Sequence, residues 1–201
     1  MKNKYSLIYC DPPWQYSNQA TRAATNNHYP AMTLDDLKKL PIQNITEDNA
    51  VLFMWFTGPM TKEAIELVES WGFKLKTTKG FTWIKLNKNY DSILAKFLLV
   101  VRLPFIEVLQ KISFFGLGNH TRTNSEDCLI AIKGKGIERQ NKSISQVIYA
   151  PIGRHSEKPK EARDRLDMLY GDVPRIELFA RNNFEGWDVW GNECDNSIEM
   201  E

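Results

Sequence analysis

The chain has 201 residues, with 26 Lys and Arg against 25 Asp and Glu, for a net charge of +1 at neutral pH. That length suits a single domain, 1–201, around one core. The even charge balance excludes a globally basic nucleic-acid binder and leaves only a local basic face for such a role. Cys10, Cys128 and Cys194 are widely spaced and form neither C-x-x-C nor Cys/His zinc spacing, so a reduced, metal-free cytoplasmic protein is expected. Lys2 and Lys4 precede an apolar run too short for a secretory signal. The most apolar window, 94–109, holds Lys96, Arg102, Pro104 and Glu107, and is no membrane span.

The first predicted strand, residues 5–10, runs directly into Asp11-Pro12-Pro13-Trp14. Two prolines fix φ and remove backbone donors, so the segment forms a stiff turn and continues neither a ladder nor a helix. The carboxyl ends of strands are where open α/β sheets bind ligands. An acid held there beside an indole suits a planar base bearing an amine: Asp11 and the Pro12 carbonyl accept the amine hydrogens, and Trp14 stacks on the ring. The combination resembles the signature of methyltransferases that alkylate exocyclic or amide nitrogens; the bland alternative is a loop with a stacked Trp.

The polar stretch 15–31 is too long for an ordinary connection and reads as a functional loop on the target side. Thr33 caps a short helix that Pro41 stops. Residues 51–57 form a second buried strand. Pro59 then opens a helix with Ala64, Ile65, Val68 and Trp71 on one face, ended by Gly72. Strands are expected at 73–77 and 81–86. The nearly continuous apolar segment 93–115 is read as two short helices broken at Pro104. Further strands fall at 128–133 and 147–150, a helix at 159–170 with Leu166 and Leu169 inward, and last strands at 175–180 and 187–190. Alternating strands and helices predict a three-layer α/β fold with a mostly parallel sheet.

Near the C-terminus, Ile176-Glu-Leu-Phe-Ala-Arg181 leaves into Asn182-Asn183, and Gly186-Trp-Asp-Val-Trp-Gly-Asn192-Glu193 ends a second strand in an amide and an acid. In nucleotide-binding sheets the first such turn cradles the charged part of the cofactor, and the acid at the second strand tip takes the ribose hydroxyls. No G-x-G-x-x-G occurs. A cofactor with an amino-acid end and a ribose, such as S-adenosylmethionine, therefore fits better than a dinucleotide. A solvated strand-end acid is the plain alternative for Glu193.

Three blocks resemble the D-P-P-W family of adenine-N6 methyltransferases, which includes the catalytic subunit of the messenger-RNA adenosine methyltransferase and bacterial and phage DNA enzymes. They are Tyr9-Cys-Asp-Pro-Pro-Trp14 with Tyr29-Pro-Ala-Met-Thr33, Phe53-Met-Trp-Phe-Thr57, and Lys158-Pro-Lys-Glu161 through Arg181 to Trp190-Gly-Asn-Glu193. The resemblance covers nearly the whole chain and implies a Rossmann-like fold in circularly permuted order, with the catalytic strand first and the cofactor strand last. It assigns Asp11, Pro12, Pro13 and Trp14 to catalysis, with Asp11 also beside the cofactor. Lys158, Phe179, Arg181, Asn182, Asn183, Asn192 and Glu193 would bind S-adenosylmethionine. Tyr29 matches a gate-loop tyrosine, and Glu126 an acid near the acceptor base. Asn182 stands where the messenger-RNA enzyme has a histidine, and about 93–110 is an insertion.

The implied reaction transfers a methyl group to adenine N6 in nucleic acid, DNA ahead of RNA. Reaching a duplex base requires flipping it into an aromatic-lined pocket, for which Trp14, Tyr29 and Trp83 are candidates; core packing is the competing role for Trp83 and the favoured one for Trp55. Lys85 and Arg122 belong to a scattered basic set that could track phosphates. The alternatives are another amine substrate or a catalytically silent nucleic-acid-binding partner. The protein would act as a monomer or a dimer, including one with a related methyltransferase chain.

Overall fold

The computed structural model describes residues 4–15, 31–116, 118, 120–154 and 157–200. The chain gathers into two compact units. One comprises Met1–Gly80, Cys128–Arg139 and Asp172–Glu201; the other comprises Phe81–Asp127 and Gln140–Gly171.

The first unit is built on β1 (Tyr5–Cys10), β2 (Thr46–Phe56), β6 (Arg175–Leu178) and β7 (Asp188–Trp190). Its strand order is β4-β2-β1-β6-β7, where β4 (Ser125–Lys133) and β3 (Lys74–Leu86) each run through both units. β1 pairs in parallel with β2 on one side and β6 on the other, and β6 pairs in parallel with β7. This parallel set is what the alternation of elements predicts. Flanked on both sides, β1 buries five of its six residues, as its unbroken apolar run requires. Tyr5 at its start donates to Asp188 Oδ2 at 2.6 Å, tying the first strand to the last.

Between β1 and β2 lies α1 (Leu34–Lys39), whose first turn is capped by Thr33 accepting from the Asp36 N–H. After β2, Pro59 sits in a 3₁₀ turn, Gly58–Met60, and α2 begins behind it at Thr61–Ser70. Ala64, Leu67, Val68 and Trp71 are buried, while Ile65 is half-buried. The buried face thus runs through Leu67 at i, i+3, i+4, i+7 spacing and leaves Ile65 at its edge. Gly72, at φ +82°, closes it. Segments 73–77 and 81–86 are a single strand, β3. A Cβ on Gly80 would lie 2.3 Å from the Ile130 side chain, so this glycine permits a close approach instead of breaking the strand.

In the second unit β3 pairs in parallel with β5 (Val147–Pro151), Thr82 opposite Val147 through Leu86 opposite Pro151. The 93–115 segment forms α3 (Tyr90–Ala95), a π turn (Lys96–Val100) and α4 (Phe105–Ile112), broken at Pro104 as expected and beginning three residues earlier. Leu86, Val108 and Ile112 bury its inner side with Ile93, Leu94 and Phe97 packed on them. α5 (Lys160–Tyr170) follows Pro159, buries Leu166 and Leu169, and ends at Gly171 with φ +66°.

One expectation fails here. Trp14 reads on sequence grounds as a residue of the turn and not of the core, yet only 8% of its surface is accessible and it lies in the core cluster with Cys10, Met54 and Phe56. Its indole N–H donates to the Trp55 carbonyl at 3.3 Å. The tight turn at the two prolines, closed by the Trp14 N–H on the Pro12 carbonyl, brings the ring into this cluster. Trp14→Ala should therefore cost about 3–5 kcal/mol in a denaturant titration, whereas Asp11→Ala stays within about 1 kcal/mol.

Candidate active site

Register decides what meets at the end of the first unit's sheet. Cys10, the last residue of β1, pairs with Met54 on one side and Leu178 on the other, and Leu178 pairs with Trp190. Asp11, Phe179 and Gly191 therefore leave three neighbouring parallel strands at one level. The Asp11 side of this edge is shaped by a tight turn in which the Trp14 N–H donates to the Pro12 carbonyl at 2.8 Å. A carbonyl oxygen can accept a second hydrogen bond. The Met32 N–H donates to the Pro13 carbonyl at 2.9 Å, and Trp14 bridges Met32. The residues flanking the 15–31 stretch are thus pinned to the Pro-Pro turn; Tyr29 lies outside the described residues.

The opposite side is made by the turn after β6 and the tip of β7. Phe179 has φ +62°, a conformation that costs a non-glycine residue energy and marks a turn held by its surroundings. Its ring meets Trp190 edge-on at 5.5 Å. The left-handed step carries the chain over β7, where the Ala180 N–H donates to the Trp190 carbonyl at 3.0 Å. Gly191 lies directly against that crossing: a Cβ there would stand 2.1 Å from the Ala180 oxygen and 2.7 Å from its nitrogen. Backbone meets backbone, and only glycine fits. Beyond this contact Arg181 is half-buried, and Asn182, Asn192 and Glu193 are exposed. Asn183 is engaged differently, donating from Nδ2 to the Asp195 carbonyl at 2.8 Å and accepting from the Asp195 N–H at 3.0 Å.

Within the second unit three expected site residues come together. Glu126 lies between two ammonium groups, its Oε2 2.9 Å from Lys85 Nζ and its Oε1 3.1 Å from Lys158 Nζ. Burial pushes the Glu126 carboxyl up, but the Lys158 and Lys85 charges outweigh it and hold the pKa below the usual glutamate value. Lys85, read as a phosphate contact, is committed to this group, and its ammonium also lies 5.0 Å from the centre of the Trp83 ring. Trp83 itself is 3% exposed and donates to the Ala150 carbonyl at 2.9 Å, so packing is the role the structure gives it. Trp55 is fully buried and donates to the Tyr9 hydroxyl. Arg122 is exposed on the loop before β4.

Among the described residues no group of three His, Cys, Asp or Glu could hold a metal ion. Cys10 is no nucleophile either: burial, with Asp11 and Glu177 nearby, pushes its thiol far up. The chemistry available at the strand ends is hydrogen bonding and charge placement.

The MT-A70 family model matches residues 5–193, from the first residue of β1 to the acid beyond β7. The chain belongs to the MT-A70 family. Type II methyltransferase M.MunI from Mycoplasma sp is 34% identical over 99% of the chain and 82% of its own length. The probable N(6)-adenosine-methyltransferase MT-A70-like of Oryza sativa subsp. japonica is 28% identical over 96% of the chain but only 23% of its own length. For the human N(6)-adenosine-methyltransferase catalytic subunit METTL3 the figures are 26%, 96% and 28%. The chain therefore spans most of a bacterial enzyme and about a quarter of the eukaryotic ones. It is a methyltransferase of Rossmann-like α/β architecture.

In this MT-A70 chain the sequence singles out neither Gly191 nor the residues beyond Glu193 that support the β7 tip. A lone glycine directly after a strand is the only signal of the backbone contact with Ala180. Gly191→Ala should lower stability by about 1–3 kcal/mol, read as a fall in the thermal transition. The Glu126 group titrates with a definite sign. Because its pKa is depressed in the folded protein, its stabilisation is complete above the unfolded value of about 4.3 and is lost as pH falls through the folded one. Glu126→Gln should cost about 3 kcal/mol by removing the carboxylate charge that the Lys85 and Lys158 ammonium groups share. Melting curves taken from neutral pH down to about pH 3 should converge with those of the parent at the acid end.

Proposed function

We propose that this MT-A70 chain transfers a methyl group from S-adenosylmethionine to the N6 amine of adenine in DNA. The carrying observation is the shared level of three strand ends, which sets Asp11-Pro12-Pro13-Trp14 beside the Phe179 turn and the Gly191 tip. That edge suits a cofactor with an amino-acid end and a ribose. The backbone of Gly191 packs on Ala180 and so fixes where the tip stands, while Arg181, Asn182, Asn192 and Glu193 offer a cation, amides and a carboxylate for charged ends and hydroxyls. When bound, S-adenosylmethionine supplies a methyl group already carrying a good leaving group.

The protein's contribution is then orientation. Asp11 accepts a hydrogen from the acceptor amine and the free lone pair of the Pro12 carbonyl accepts the other, which turns the nitrogen lone pair away from ring conjugation. The turn itself is rigid, so this alignment is present before substrate arrives. Trp14, packed in the core with 8% of its surface accessible, anchors the turn that carries these acceptors. Glu126 and Lys158 lie in the second unit as an ion pair, and the role of Lys158 at the cofactor carboxylate rests on the family resemblance.

DNA is favoured over RNA because the likeness to M.MunI runs through 82% of that enzyme, whereas the adenosine methyltransferases share a minor part of their length with this chain. A base in a duplex must be flipped out to reach a strand-end turn. The test is incubation of duplex DNA, single-stranded DNA and RNA with labelled S-adenosylmethionine, followed by nucleoside mass spectrometry. N6-methyladenine from DNA is the expected product, and Asp11→Ala should reduce its formation by about 10²–10⁴-fold without lowering the thermal transition. Methylcytosine, or methylation of RNA alone, would overturn the assignment.

A further inference from the structure

We propose that Asn196 is a positioning residue that holds the tip of β7 in its cofactor-binding shape, an inference that rests on the functional reading above. The family match ends at residue 193, and Asn196 lies beyond it. Its Oδ1 accepts from the Gly191 N–H at 2.7 Å and from the Cys194 thiol at 3.5 Å. A single carboxamide oxygen therefore closes a loop whose outermost residues are Asn192 and Glu193, both exposed.

The rest of this segment anchors that oxygen. The Ser197 N–H donates to the Val189 carbonyl at 2.8 Å and the Val189 N–H donates to Ser197 Oγ at 3.0 Å. Asp195 is gripped through both its N–H and its carbonyl by the Asn183 side chain. Ile198 and Met200 pack on the core. The segment after β7 thus runs back along its own strand, with Asn196 aimed at the base of the tip. Without this acceptor the Gly191 N–H loses its partner at the point where Gly191 presses on Ala180. The tip then loses the hydrogen bond that fixes the backbone leading into Asn192 and Glu193. Asn183 works from the other end of the same clamp, and its amide is spent on Asp195.

The decisive property is an acceptor oxygen at position 196, which aspartate keeps and alanine lacks. Calorimetric titration with S-adenosylmethionine should show Asn196→Ala binding about tenfold more weakly than the parent. Asn196→Asp should stay within about twofold, as should the affinity of both variants for duplex DNA without cofactor. In turnover the alanine variant should raise KM for the cofactor and leave kcat at saturation unchanged. Equal cofactor affinity in the alanine variant and the parent would overturn the inference. So would an aspartate variant as weak as the alanine one, or a parallel loss of DNA affinity. A folded parent that binds no S-adenosylmethionine would instead overturn the functional reading beneath it. If Asn196→Ala melts early, titration below its transition temperature still decides: weaker cofactor binding with unchanged DNA affinity supports the inference, and parental cofactor affinity overturns it.

Discussion

Parallel pairing on both sides of β1 is the constraint from which the remaining features follow. A six-residue strand buried on both faces has no freedom to slip, since a shift of one residue would exchange its two packed faces. Its last pair, Cys10 with Met54 and with Leu178, consequently fixes the height at which Asp11 emerges relative to the turn at Phe179. The β6–β7 register extends the same level to Gly191. Chemistry at the edge is thus set by ladder hydrogen bonds several residues away from it.

Rigidity at this edge comes from dissimilar devices on its two sides. Around Asp11 it comes from proline, from the i to i+2 hydrogen bond across Pro12 to Trp14, and from an indole driven into the core. Around the β7 tip it comes from the contact of Gly191 with Ala180 and from the strained backbone of Phe179. The first device uses bulk and the second uses its removal. Both leave polar groups facing outward on backbone that has little room to move, which is the form of preorganisation that methyl transfer to a neutral amine requires.

Much of this was legible in the sequence because the signals are local. The Pro-Pro turn, the Thr33 cap, the break at Pro104 and the helix-ending Gly72 and Gly171 each act through fixed φ, a missing donor or a short-range hydrogen bond. The order of blocks made the permuted parallel fold readable as well, and the family match bears that out. What stayed hidden depends on distant partners. Trp14 looks like a turn residue until the fold brings Met54 and Phe56 beside it. Lys85 looks like a surface cation until Glu126 is found 2.9 Å away. Gly80 looks like a break between strands until the Ile130 side chain fills the space above it. The tip support from Asn183 and Asn196 falls in the same class, since a carboxamide in a polar segment carries no pattern that names its partner.

The α3–π–α4 segment bears on how separate molecules meet. Its inner face is packed, but Leu99, Val100, Phe105 and Ile106 each leave more than half of their surface to solvent. With a net charge of +1 and an isoelectric point near 7.7, electrostatic repulsion between copies is almost nil at neutral pH. Colloidal behaviour under those conditions is set by this small apolar surface and not by charge. Salting-out ions would strengthen its self-association, and a buffer well away from pH 7.7 would restore the missing repulsion.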